Sequence, residues 1–406
     1  MVIASFIALF LNQAAAPSQD KEKGPPAELG YSVYPMPAIA ADKNSGLTWG
    51  LLGAVMFTNE EGVQDRLITA MVAHQHLAGW SGEMDYRYYP SKSGVMEADA
   101  YLAALTESTL RLYFEESRWN DLYHARLELL EQRTASDRFF GRGDDTPHSG
   151  QSVRTSNEYR ADARFGPRLT EVWDVEGTLR WRHFRLGDSL ITDLPQMTAL
   201  YPNEPGIEGG QAFAAGIRIV GDSRDSLTTP TIGTFAVVYF ENVHDVAPGV
   251  TYPFWNCGAS QTTLLPLDED RAFVTVLNTA LQFSVGRTIP FWELPTLGGP
   301  NTLRSFNGGR FTNKDAILVN VEERIRIAKP SLFGVTGEVQ VAPFFDAGKV
   351  YDSAADLVGK GILQAYHYSA GIGFRGVVPP SFVGRLDIGF GGREGVGVTI
   401  GLDYPF

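Results

Sequence analysis

The C-terminal part of the chain alternates apolar and polar residues with period two. Val396, Val398, Ile400, Leu402, Tyr404 and Phe406 share one parity; Gly397, Thr399, Gly401 and Asp403 share the other. In an extended strand these sets point to opposite faces. The preceding segments repeat the pattern. Leu386, Ile388 and Phe390 oppose Arg385, Asp387 and Gly389, and Tyr366, Tyr368, Ala370, Ile372 and Phe374 oppose His367, Ser369, Gly371, Gly373 and Arg375. From Leu47 onward the alternation recurs between closely spaced turn residues, and no window sustains a helical stripe. The pattern predicts an all-β chain of about 16 strands, at about 22 residues per strand with its turn and about 10 residues per span.

Alternation alone does not say which face is outside. A soluble barrel turns its apolar face inward, whereas a transmembrane barrel has a polar lumen and an apolar outer band. Charged residues recur on the polar parity, as in Asp174, Glu176, Arg180 and Arg182. The opposite parity places Trp173 and Trp181 around Val175 and Leu179. Aromatics at both ends of an apolar band form the girdle of a membrane-spanning barrel. The expected architecture is therefore a transmembrane antiparallel β-barrel over residues 47–406, with outer-membrane lipid around it. The apolar run Val2–Leu11 followed by Ala14-Ala15-Ala16 resembles a secretory signal over residues 1–16. The run is too short for a membrane helix. Residues 17–46, rich in Pro, Lys and Gly, read as a periplasmic leader without strands.

Composition narrows the function classes. The 406 residues carry a formal net charge of -13, so there is no broad electrostatic footprint for nucleic acid. A single cysteine, Cys257, excludes an intramolecular disulfide framework and any multi-cysteine metal site. His74 and His76 share a strand face but have no third ligand nearby. Arg142-Gly143-Asp144 reads as part of a turn. Gly-x-Ser-x-Gly and P-loop signatures are absent, and no helix follows Leu297–Pro300 or Asn307–Gly309 to hold a phosphate. The expectation is a chain that is not an enzyme and needs neither metal nor cofactor.

Leu297-Gly298-Gly299-Pro300-Asn301-Thr302-Leu303-Arg304-Ser305-Phe306 resembles the loop signature of the BamA/TamA superfamily, the bacterial surface-antigen barrels. Further pieces follow in that family's order. They are Phe139–Gly143, Asp222-Ser223-Arg224-Asp225 with Pro230–Gly233, Asn320-Val321-Glu322-Glu323-Arg324, Phe345-Asp346-Ala347-Gly348, and the C-terminal strands ending in Phe406. The resemblance covers roughly Pro35 to Phe406. Ser305 departs from it, standing where the family usually has Gly. The family's longer members carry periplasmic POTRA domains. The short leader here implies that the barrel stands alone or that its periplasmic part is a separate partner.

Parity gives the loop a physical reading. Asn320, Glu322, Arg324 and Arg326 share one face of a strand, and Thr336, Glu338, Gln340 and Asp346 share the polar parity of the next. A loop arginine entering the lumen can pair with two carboxylates there, bidentate to one. The resemblance implies that Arg304, flanked by Phe306, is that arginine and that Glu322 and Asp346 are its partners. Glu323 falls on the apolar parity, which reads either as an interfacial position or as a contact with a second barrel in a homo-oligomer or with another partner.

Two functions follow from the resemblance. In one, the barrel transports or assembles substrates, protein or lipid, at the outer membrane. Its first strand, around Trp49–Phe57 with Gly50 and Gly53, meets the last strand from Gly401 to Phe406 at a lateral gate. In the other, the barrel is a passive pore or structural element. Gly397 and Gly401 thin the lumen face of the last strand, which fits either a weak seam or close packing.

Overall fold

The computed structural model describes residues 30–406 apart from 60–63, 92, 105–106, 192, 246–252, 333–334, 354–355, 357–365, 380–381 and 393. The signal-like residues 1–16 lie outside the described residues. Eighteen strands form one antiparallel sheet closed on itself. The first nine are β1 (Gly30–Asp42), β2 (Gly46–Thr58), β3 (Gln64–Gln75), β4 (Gly79–Tyr88), β5 (Gly94–Ala103), β6 (Ser108–Trp119), β7 (Tyr123–Phe139), β8 (Ser152–Pro167) and β9 (Trp173–Gly187). The rest are β10 (Gly210–Asp222), β11 (Gly233–Asp245), β12 (Phe254–Pro266), β13 (Phe273–Val285), β14 (Asp315–Ala328), β15 (Glu338–Tyr351), β16 (His367–Val378), β17 (Phe382–Phe390) and β18 (Val396–Leu402). Each strand pairs with the next in the chain.

The barrel is inside out relative to a soluble protein, which settles the question that alternation left open. Leu51, Leu179 and Ile217 are 72, 64 and 59 % exposed, while Asn320, Glu322 and Asp346 are 0 % exposed. Apolar side chains on the outer face need a lipid surround. Aromatic clusters mark both ends of the band. At one end Trp49, His74 and Trp80 pack together and Phe240 stacks on Trp255. At the other, Phe165 contacts Trp119 and Tyr123. His74 therefore belongs to the girdle.

The two rims differ. The connections 140–151, 188–209, 286–314 and 352–366 leave one rim, and mostly short turns close the other. Loop 286–314 folds inward. Its short ribbon pairs Thr296–Leu297 with Phe311–Thr312, and Arg142 and Gly143 bridge to Thr312.

Two expectations need correction. The segment 17–46, read as a leader without strands, holds β1, and with turns shorter than the spacing assumed the sheet has 18 strands for the about 16 expected. Pro35 and Pro37 disguised that strand. They share a parity, so both remove N–H donors from the same edge. Their place is an edge with little pairing, and β1 has one: it pairs continuously with β2 from Gly30↔Thr58 to Asp42↔Gly46, but meets β18 at a single register pair, Ala41↔Ile400. Gly50 and Gly53 thus lie on the second strand, not at the seam.

The second correction concerns Phe406. Strand β18 stops at Leu402, and Asp403 takes a left-handed φ of 68°. This turns Tyr404-Pro405-Phe406 out of the barrel wall and into the lumen. Pro405 cannot donate to a ladder, which fits the early end of the strand.

Candidate functional site: the lumen latch and the seam

Loop 286–314 descends into the lumen and is tied at its tip to β14–β17. Thr302 Oγ1 accepts from the Gly298 amide at 2.9 Å, and the Leu303 carbonyl accepts from the Phe306 amide at 3.0 Å, which together form a tight turn. Phe306 packs with Leu297, Leu303, Phe311, Leu318 and Val350. Ser305 is fully buried, does not have a positive φ, and donates its amide to Ser369 Oγ at 3.1 Å. No glycine is required there.

Arg304 makes the central contacts. Its Nη1 donates to Glu322 Oε2 at 2.6 Å, and its Nε and Nη2 donate to Asp346 Oδ2 and Oδ1 at 3.1 and 2.8 Å. The Arg304 backbone amide adds a bond to Asp346 Oδ2 at 3.1 Å, and the guanidinium lies 3.4 Å from the Phe344 ring centre. Bidentate pairing fixes the orientation of the guanidinium plane. All three charged side chains are 0 % exposed.

The network reaches further than the sequence reading. Arg375 bridges Glu322 at 3.0 Å and Asp387 at 2.7 Å, Arg324 binds Glu322 at 3.1 Å, and Asn320 donates to Asp346 at 2.8 Å. Arg375 and Asp387 carried the right parity in the sequence. What parity could not show was that Arg375 reaches Glu322 across β15. Gly373 clears the way: a Cβ there would stand 2.5 Å from Arg375 Nη1 and from Asp387 Oδ1. Gly397 does the same for the loop, since its Cβ would stand 2.5 Å from the Arg304 carbonyl oxygen. Gly397 therefore serves close packing. Gly401 has Arg385 Nε as its nearest neighbour, at 3.9 Å.

The C-terminal tail joins this network. The Tyr404 ring lies 3.3 Å from the Arg324 guanidinium and its hydroxyl donates to Gln340 at 3.1 Å. Phe406 packs against Leu264, Val274 and Val276 and lies 5.4 Å from Arg304. Sequence parity had put this residue on the opposite face.

The loop also meets the seam. Lys43, in the β1–β2 turn, donates to the carbonyls of Ser305 at 2.9 Å and Glu394 at 2.8 Å. Glu394 belongs to the β17–β18 turn, so Lys43 crosses the seam and holds the loop tip in the same grip. Asn44 Oδ1 accepts from Asn307 at 2.9 Å and from the Gly308 amide at 3.2 Å. Behind the seam lies a cavity of ≈ 210 Å³ lined by Ala41, Ser45, Arg385, Ile400 and Gly401 among others. Glu323 faces outward, half-buried, and accepts from Thr275 Oγ1 at 2.6 Å. A neighbour on its own sheet therefore holds it, and a second chain is not required to do so. Among the described residues no cluster of three metal-ligating side chains occurs.

The closed antiparallel barrel was compared with known families. A model described as the Omp85 superfamily domain matches residues 101–397. The chain belongs to the Omp85 superfamily. It is a bacterial outer-membrane barrel of the transport and assembly type, and β1 to β4 precede the matched residues. No curated protein matches this Omp85 chain. Among solved structures it is similar in fold to BamA from Haemophilus ducreyi lacking POTRA domains 1–3, with TM-score 0.57 and 14% identity over 91% of this chain and 75% of that one. CdiB from Acinetobacter baumannii (TM-score 0.48, 14% identity, 93% of this chain and 66% of that one) and CdiB from Escherichia coli (0.48, 13%, 95% and 64%) also match.

Proposed function

We propose that this Omp85 barrel passes substrates between its lumen and the membrane through the β1–β18 seam, with the Arg304 loop as the latch that keeps the seam shut. The observation that carries this reading is the single register pair, Ala41↔Ile400, against continuous ladders on both sides of it. Few ladder hydrogen bonds make this the wall's cheapest place to part. The latch holds the loop rim through Lys43 and Asn44, so releasing Arg304 would free the loop tip and the seam together. The substrate is a polypeptide or a lipid, supplied by a separate periplasmic partner. Glu323 faces outward with Oε2 held by Thr275 and Oε1 without a hydrogen-bond partner, and that free oxygen supports a contact there with a neighbouring barrel.

The test is a disulfide across the seam, Ala41→Cys with Ile400→Cys in a Cys257→Ser background. In proteoliposomes, the oxidised barrel should lose acceleration of outer-membrane protein insertion or of lipid exchange, and reductant should restore it. A steady ionic conductance that the lock leaves unchanged, with no effect on either assay, would favour the passive pore instead.

A further inference from the structure

The register brings Thr69, Asp85 and Asp99 side by side on β3, β4 and β5, with Glu83 two residues from Asp85 on the same lumen face. The four are 0, 0, 1 and 4 % exposed. No side-chain oxygen of the four has a hydrogen-bond partner among the described residues. Asp85 and Asp99 stand directly opposite each other, a position where like charges repel. Buried carboxylates without hydrogen bonds carry a large desolvation penalty.

The nearby arginines do not resolve this. Arg87 lies 3.3 Å from Asp85 but outside hydrogen-bond geometry, and its Nε is 3.2 Å from Glu97. Arg111 is the register partner of Asp99, yet it turns to Glu97 at 2.8 Å and Glu128 at 3.7 Å. Glu97 takes Arg111 from Asp99 and shares Arg87 with Asp85, so Glu83 and Asp99 keep no ion pair among the described residues. Thr69 is a second, neutral group in the same state: a fully buried hydroxyl that meets nothing and stands next to Asp85 in register.

A site of this kind asks for a cation with several N–H donors. Three carboxylates and a hydroxyl, all acceptors, match the several N–H donors of an organic cation. We propose that Thr69, Glu83, Asp85 and Asp99 form a lumen site for an ammonium or guanidinium group. The adjoining lumen face supports a side chain carried on an apolar segment, since Leu52, Ala54, Met56, Leu67 and Met71 continue the wall toward β2. Two sources share this chemistry: a polypeptide within the lumen, and the residues ahead of β1, which include Lys21 and Lys23.

Calorimetric titration of the full chain, folded in detergent micelles, with spermine tests the site. Wild-type protein or the Lys21→Ala/Lys23→Ala variant should show one saturable event. The Asp85→Asn/Asp99→Asn variant, whose fold is checked by heat-modified mobility, should bind at least tenfold more weakly. Glu83→Gln, which keeps the opposed pair, should lose about threefold, and supplies the answer if the double variant does not fold. Tighter spermine binding after loss of the two lysines identifies the chain's own segment as the occupant. Unchanged binding identifies a free polypeptide. Absence of saturable binding in both wild type and the lysine variant, or equal affinity in the Asn variant, would overturn the proposal.

Discussion

The lumen holds two groups of three carboxylates that differ in how far arginines neutralise them. In the latch, Glu322 meets Arg304 at 2.6 Å, Asp346 meets the same guanidinium at 2.8 Å, and Asp387 meets Arg375 at 2.7 Å. In the β3–β5 row, equally buried, Asp85 has Arg87 at 3.3 Å, while Glu83 and Asp99 have no ion pair among the described residues. Both groups sit on adjacent strands at lumen parity. The latch has something the row lacks: a loop that lowers a cation onto the wall from above, and glycines at 373 and 397 that leave room for it. Strand geometry fixes where lumen charges stand, so a wall of carboxylates is neutralised only by arginines with a clear path or by an inserted group.

The largest expected effect breaks the latch. Arg304→Ala leaves Glu322 and Asp346 buried without their shared cation, which costs about 3–5 kcal/mol. Thermal unfolding in detergent and loss of heat-modified mobility measure it. Combined with Asp346→Ala, the pair should be non-additive by about 1–3 kcal/mol. Additive effects would mean that Arg304 does not latch to Asp346.

Next, the same substitution should have opposite signs in the two groups. Asp346→Asn weakens two charge-assisted bonds and should destabilise by about 2 kcal/mol. Asp85→Asn removes a like-charge opposition and should stabilise by up to about 1 kcal/mol in buffer free of polyamines. If both variants lower the unfolding temperature equally, the contrast between the groups is wrong. Gly397→Ala sharpens it from the steric side. The added methyl meets the Arg304 carbonyl and should cost about 1–3 kcal/mol. Gly53→Ala, with nothing within 4 Å of its Cβ, should stay within about 0.5 kcal/mol. Equal stability of the two variants would remove Gly397 from the latch.

Period-two alternation gave the strands, charged residues and aromatic girdles gave the lumen face, and the family resemblance implied that Arg304 meets Glu322 and Asp346. Asn320, Glu322 and Arg324 fall on one face by counting alone. Contacts between strands that are not neighbours were out of reach, because they depend on register and on which side chains are absent. Arg375 reaches Glu322 past residue 373, where a Cβ would stand 2.5 Å from its Nη1. β1 was hidden by its own function as an edge: prolines 35 and 37, which argue against a paired strand, are tolerable where one ladder is almost missing. The C-terminal tail was misread for a related reason. Tyr404 and Phe406 keep the parity of β18, but the left-handed φ at Asp403 breaks the geometry that gives parity its meaning.

That tail supplies the smallest expected effect. Tyr404 is held by two separable contacts, the Gln340 hydrogen bond and the Arg324 guanidinium over its ring. Tyr404→Phe removes the first and should cost about 1 kcal/mol. Tyr404→Ala removes both, adding about 1–2 kcal/mol for the lost cation–ring contact and packing. The order wild type, Phe, Ala in unfolding temperature is therefore expected. Because Arg324 also binds Glu322, the Ala variant should loosen the latch as well, seen as faster proteolysis of loop 286–314 in the folded barrel. The Phe variant should not change that rate. If Ala and wild type are equally stable and equally resistant, the tail does not lie in the lumen and Phe406 returns to the barrel wall.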